Sequence, residues 1–210
     1  MVCESVMMVD EYQSKKFNYE DHSVFIDMGA HIGTWTMLMA SINPTFKVYS
    51  YEPIPENFEL LKKNIEQNGL QAYPFNLAIS MDSIGKEKVY YNSEDTEFSR
   101  YHKFIGNPGG HGQIIEVDKI SVDDIFKKNN IKRCRVVKAD CEGCETKGFS
   151  TASPETLQKI DYIVGEFHPG NRTEFFKLFE PYFVDISEPV YTESRKFELQ
   201  QFLFKNKRLV

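Results

Sequence analysis

The chain has 210 residues, 41% hydrophobic and 27% charged, with a formal net charge of −6. That length suffices for one full core, and the acidic balance gives no bulk electrostatic pull toward nucleic acid. No apolar run approaches the roughly 20 residues of a membrane span, and Met1-Val2-Cys3-Glu4-Ser5 lacks the basic start and apolar stretch of a secretory leader. A cytoplasmic protein with reduced thiols is therefore expected.

Residues 1–22 read as a weakly patterned extension, with Val2, Val6 and Val9 on one side of a short helix. The domain proper is expected over 23–210. Val24-Phe25-Ile26 predicts a strand buried on both faces. The turn Asp27-Met28-Gly29-Ala30-His31-Ile32-Gly33 follows, and a helix then runs from Thr34 until Asn43-Pro44 stops it. Strand, glycine turn and helix N-terminus build a nucleotide-sized cradle. Glycine admits close approach, and the free N–H groups face the ligand. The G-x-G-x-x-G order of dinucleotide proteins is absent. Asp27, just before the turn, repels a pyrophosphate and suits S-adenosylmethionine, which carries an ammonium and a sulfonium and no phosphate. The alternative is a plain strand–helix turn capped by Asp27. Trp35 and the methionines of the helix read as core packing.

Residues 46–51 alternate as a second strand ending at Glu52-Pro53. Glu52 follows Gly33 by 19 residues. From the tip of the second strand, an acid so placed accepts both ribose hydroxyls; the alternative is a surface glutamate before a helix. Residues 55–65 predict that helix, with Pro55 in its first turn, Phe58, Leu61 and Ile65 on one face, and Asn68-Gly69 as its close. A third strand spans 70–75. Asn76 after it either meets an adenine edge or is a turn residue.

Residues 79–120 break the strand–helix rhythm. Val89-Tyr90-Tyr91 and Ile114-Ile115-Glu116-Val117 read as strands of a hairpin-like insertion. The glycine-rich stretch between them lacks the Lys-Ser/Thr of a phosphate loop, and is either a substrate lid or a plain connection. Arg100, His102 and Lys103 are the groups that would meet an anionic substrate. Ser121-Val122-Asp123-Asp124 opens a short helix. Residues 134–140 and 162–168 are the fourth and fifth strands, helices start at Ser153-Pro154 and Thr173, and 183–186 with 197–204 close an antiparallel edge. The fold class is α/β: a doubly wound, mostly parallel sheet.

In such sheets ligands bind beyond the carboxyl ends of the strands. Three predicted tips bear chemistry: Asp27; Asp140 with Glu142 and Glu145; Glu166 with His168. Lys138, Asp140 and Glu142 alternate and share a side while the chain stays extended. Methyl transfer needs an in-line nucleophile about 3 Å from the methyl carbon and, for a hydroxyl or amide, a base. Asp140 is the first choice for orienting the substrate and His168 for the base, with a structural histidine as the alternative. The acids would suit Mg²⁺, but Lys138 beside them can neutralise them instead, so no metal is assigned. Cys141-Glu142-Gly143-Cys144 is a C-x-x-C pair. Only Cys3 and Cys134 remain for a zinc site, and two buried, reduced thiols are expected.

These motifs resemble the FkbM family of S-adenosylmethionine-dependent methyltransferases. The resemblance rests on the 26–33 turn, Tyr51-Glu52-Pro53 with Asn57 and Asn64-Ile65, Val122-Asp123-Asp124, Glu166-Phe167-His168 and, most specifically, Lys138-Ala139-Asp140-Cys141-Glu142-Gly143-Cys144-Glu145. It implies a class I, Rossmann-like methyltransferase sheet with the cofactor over Asp27, Gly29, Ala30, Gly33 and Glu52; Pro53 and Asn76 complete the candidate cofactor residues. His31 stands where the family usually has Asn, and either touches the cofactor carboxylate or caps the turn. The resemblance implies O-methylation of a small molecule or glycan, with amide N-methylation of a peptide as an alternative. A nicotinamide-dependent oxidoreductase is disfavoured by Asp27 and the missing glycine fingerprint. A cofactor-binding module without catalysis is the remaining reading.

Overall fold

The computed structural model describes residues 6, 10, 12–91, 100–101, 113–167, 172–187 and 201–210. β1 (Val24–Met28) is buried from Phe25 onward. It leads through the glycine turn into α1 (Thr34–Ile42), then β2 (Lys47–Tyr51), α2 (Pro55–Gln67) and β3 (Ala72–Phe75). β4 (Ala78–Ser80), β5 (Lys86–Tyr91), β6 (Arg100–Tyr101) and β7 (Gln113–Ser121) follow, then α3 (Val122–Lys128) and β8 (Cys134–Ala139). The chain ends with α4 (Cys144–Phe149), α5 (Pro154–Gln158), β9 (Ile160–Glu166), α6 (Arg172–Phe179), β10 (Phe183–Asp185) and β11 (Gln201–Asn206).

The main sheet has the order β10-β11-β9-β8-β1-β2-β3. β3, β2, β1, β8 and β9 are parallel, and β11 runs antiparallel to both β9 and β10. The chain winds from β1 toward β2 in one direction, then returns to β8 on the other side of β1. The carboxyl ends of β1 and β8 therefore flank the point where the strand order reverses, the usual ligand crevice of an open α/β sheet. The smaller sheet, β4-β7-β5-β6, is the insertion; its β5–β7 and β5–β6 pairs are antiparallel, as the hairpin reading expects.

Alternation along each strand divides the core between the two faces of the main sheet. Ile26, Val137, Ile163, Phe202 and Phe204 point to one face, under Ile125, Phe149, Leu157, Phe175 and Phe179. Phe25, Val48, Val136, Val164 and Leu203 point to the other, under Trp35 and Met39. On this second face the structure departs from the sequence reading. Val6, Tyr12 and Phe17, from a segment read as a bare extension, are buried there. Ser14 accepts a hydrogen bond from Trp35 Nε1 at 3.3 Å, and the Arg135 guanidinium donates to the Asn18 carbonyl. The weak pattern misleads because this segment contributes single anchors rather than a periodic face.

A second departure concerns Cys141 and Cys144, expected as reduced thiols. They are paired in a disulfide, with their Cα atoms 5.4 Å apart. The tight turn at Glu142 and Gly143, both at positive φ (56° and 106°), folds the chain back and brings the two sulfurs together.

Candidate active site

The β1 turn is built by close approach. Gly29 and Ala30 N–H groups both donate to the Tyr51 carbonyl at 3.0 Å, tying the turn to the tip of β2. A Cβ on Gly29 would lie 2.1 Å from the Asp140 carbonyl oxygen, and the residue has φ +75°, so only glycine fits between β1 and β8. Gly33 at φ 91° starts α1, and the Asn64 amide braces the turn at the Ile32 carbonyl (2.8 Å).

Asp27 lies under this turn, not in it. It is fully buried. Its Oδ2 accepts from Thr36 Oγ1 at 2.7 Å, Thr36 shares a 2.7 Å hydrogen bond with Ser50, and Oδ1 has the Lys138 ammonium at 3.0 Å. The reading of Asp27 as a carboxylate facing a cationic ligand is thereby corrected, since its charge is already taken up by Lys138. Lys138 also donates to the Gly29 carbonyl at 2.7 Å, so the buried pair fixes the turn from beneath. Burial works against the charge of Lys138, but Asp27, Asp140 and Glu52 outweigh it and hold its pKa above the usual lysine value.

Glu52 stands where the sequence places it, at the tip of β2, but it is buried rather than on the surface. Its carboxylate accepts from the N–H of His31 (2.8 Å) and of Ile54 (2.9 Å). Burial pushes its pKa up to about 7; those two N–H groups, the Asn57 side chain and the charge of Lys138 offset only part of that cost. The backbone N–H of His31, a residue at φ 52°, thus locks the turn to Glu52. Asn76 turns its amide inward, donating to the carbonyls of Glu52 and Pro53 at 2.9 and 3.0 Å, so it braces the β2 tip as a turn residue.

At the end of β8, Asp140 Oδ2 accepts from the Tyr12 hydroxyl at 2.5 Å, and the Lys138 ammonium lies 5.3 Å from the centre of the Tyr12 ring. Glu145 folds back to accept from the N–H of Cys141 (2.8 Å) and Gly143 (3.1 Å), holding the loop that carries Glu142. Glu166 ends β9 in register with Gln201 of β11. His168, His102, Lys103 and residues 106–112 lie outside the described residues; Arg100 belongs to β6. Asp27, Asp140 and Glu52 thus gather around Lys138; of the three strand tips expected to meet, the one carrying His168 lies outside the described residues. Tyr12, Thr36 and Ser50 were missed, since no spacing marks a partner 128 residues away or a buried hydroxyl under a turn. Among the described residues no group of three or more His, Cys, Asp or Glu side chains could hold a metal ion.

At the crevice the structure brings together a glycine turn in which a Cβ would clash and a buried carboxylate at the β2 tip, and the phosphate-binding glycine fingerprint is absent. A sequence profile of the Methyltransferase FkbM domain matches residues 27–199. The hexuronic acid methyltransferase AglP of Haloferax volcanii is 25% identical over 154 residues, which cover 72% of this chain and 58% of that protein. Methyltransferase 1 of Beauveria bassiana is 24% identical over 166 residues, covering 70% of this chain and 66% of its own. The chain thus spans 58% and 66% of the lengths of these two relatives. The crystal structure of an FkbM methyltransferase from Methylobacillus flagellatus superposes with a TM-score of 0.62 at 14% identity, over 92% of this chain and 46% of that one, and shares the fold. No helix among the described residues is long and apolar enough to cross a membrane. With the profile spanning most of its length and the same Rossmann-like sheet beneath, the chain belongs to the FkbM family of S-adenosylmethionine-dependent methyltransferases.

Proposed function

We propose that this protein transfers a methyl group from S-adenosylmethionine to an oxygen of a sugar or a sugar-bearing small molecule. The observation that supports it best is the meeting of a polar, hydrogen-bonded acid, Asp140, with the glycine turn at the point where the strand order reverses. The relative AglP, by its name a hexuronic acid methyltransferase, supports a sugar acceptor.

S-adenosylmethionine, when bound, supplies an electrophilic methyl group on a sulfonium. The chain's own residues do the rest. Glu52 accepts the ribose hydroxyls, and Gly29, Ala30, His31 and Gly33 line the cradle. Asp140 orients the acceptor oxygen by accepting its proton in a hydrogen bond, and Tyr12 keeps that carboxylate in one rotamer. Lys138 and Asp27 hold the turn and Asp140's strand together. His168 and Glu166 are the groups to receive the acceptor proton. No metal takes part in this reading.

Asp140→Asn keeps the shape and removes the charge. It is expected to lower turnover about a hundredfold, with the dissociation constant for S-adenosylmethionine within about twofold. Wild-type turnover in Asp140→Asn would remove Asp140 from the mechanism.

A further inference from the structure

Buried polar atoms without a hydrogen-bond partner are few in native proteins, and each calls for an explanation. Among the described residues two glutamines supply three of them: Gln13 through Oε1, and Gln201 through both Oε1 and Nε2. The two residues are only 7% and 8% exposed. They come from opposite ends of the chain, and Gln13 sits between Tyr12, which packs in the cluster of Leu203, and Ser14, which bonds Trp35 of the same cluster. Gln201 begins β11, directly in register with Glu166 at the carboxyl end of β9. By strand alternation it points to the side of Leu203, which packs in the cluster of Tyr12 and Phe17. Gln13 follows Tyr12, whose hydroxyl is on Asp140, and is held at φ 53°. A non-glycine residue in that conformation is strained and is retained only where its surroundings impose it.

We propose that Gln13 and Gln201 are the acceptor-recognition residues of this site, and that the group they recognise is neutral and polyhydroxylated. This rests on the methyl-transfer reading above and narrows its substrate. A primary amide has two N–H donors and an oxygen that accepts, which matches a hydroxyl or a vicinal pair of hydroxyls. It offers no charge to a phosphate or carboxylate. The buried cation at these strand ends, Lys138, is engaged by Asp27 and the Gly29 carbonyl. Asp140 and Glu166 at the same strand ends disfavour an anion further. The acceptor's hydroxyls complete the missing hydrogen bonds, so an analogue lacking one leaves an amide unpaired and is rejected strongly.

The sign of the stability effect separates this from a structural role. Removing a buried amide that lacks partners relieves a desolvation cost, whereas removing a bonded one adds a cost. The experiment compares the wild-type chain with Gln13→Leu and Gln201→Leu in three readouts. These are thermal unfolding, the dissociation constant for S-adenosylhomocysteine, and affinity for methyl β-D-glucopyranoside in the presence of S-adenosylhomocysteine. Gln201→Leu is expected to melt at or above the wild-type temperature, to bind S-adenosylhomocysteine within about twofold, and to lose at least about tenfold in glucoside affinity. Gln13→Leu is expected to do the same with a smaller loss. Melting below wild type with glucoside affinity retained would overturn the proposal. So would a wild-type protein that binds a blocked peptide amide and ignores the glucoside. Wild-type protein that does not bind S-adenosylhomocysteine would instead sink the methyltransferase reading, and the melting temperatures would still judge the glutamines.

Discussion

Glu52 is the residue at which burial, charge and ligand binding meet most directly. Its pKa near 7 means that the folded protein holds a proton more tightly than the unfolded chain, whose value lies near 4.5. Stability from this group is therefore full below about pH 4.5 and is lost as pH rises through 7. Cofactor binding goes the other way. In the proposed binding mode ribose hydroxyls donate to the ionised carboxylate, so affinity for S-adenosylmethionine is expected to be full well above 7 and to weaken as pH falls through it. The expected slope approaches about tenfold per pH unit. Glu52→Gln removes this dependence and weakens binding by about 1–3 kcal/mol. A wild-type dissociation constant that stays flat between about pH 6 and about pH 8 by calorimetry would separate Glu52 from the ribose. Lys138 and Asp27 make a second residue-scale case. Taking away one partner of a buried pair strands the other's charge, so Lys138→Met is expected to cost about 3 kcal/mol in denaturant unfolding. Asp27→Asn combined with Lys138→Met should recover most of that loss. Equal loss in the single and double variants would show that the pair is not what fixes the turn.

At the scale of elements, the site is a junction of three strand tips, and Gly29 is where they touch. Gly29→Ala places a methyl against the Asp140 carbonyl and strains a φ of +75°. It is expected to cost about 3 kcal/mol, and to weaken cofactor binding more than any exposed substitution on α2. Unchanged stability by chemical denaturation would mean that β1 and β8 can part without cost. The strands, the turn and Glu52 were legible in the sequence because their signals are local: alternation, glycine spacing, and an acid at a fixed distance beyond a turn. The disulfide was not. Its formation depends on two consecutive residues at positive φ, one of them Glu142, a conformation a glutamate does not advertise. The orientation of Asp27 was also hidden, because strand periodicity makes it buried but does not name the lysine on the neighbouring strand that takes its charge.

At the scale of the whole molecule, the described residues 12–18 before β1 pack against the main sheet. Phe17 is 4% exposed, its ring centre is 5.0 Å from that of Tyr162 on β9, and the neighbouring Asn18 carbonyl is held by Arg135. Arg135 in turn joins Arg133 and Arg208 around the buried Asp161, so the two ends of the chain are tied to the same strand. Phe17→Ala is expected to cost about 3 kcal/mol through the lost burial and the cavity left behind. It should also lower turnover by loosening the seating of Tyr12 on Asp140. A variant with unchanged unfolding midpoint would return this segment to the status of an appendage. What ties this segment to the site, a phenol meeting a carboxylate 128 positions away, was not readable in advance. Contacts of that separation emerge only when the sheet order is known.

The crevice between β1, β2 and β8 is the proposed seat of S-adenosylmethionine. The most direct test is calorimetric titration of the purified chain with S-adenosylhomocysteine and, separately, with NAD. Micromolar binding of S-adenosylhomocysteine at about pH 8, with NAD silent, is the result expected. Binding of NAD with S-adenosylhomocysteine silent would contradict the account at its root, together with the roles given to Glu52 and the glycine turn.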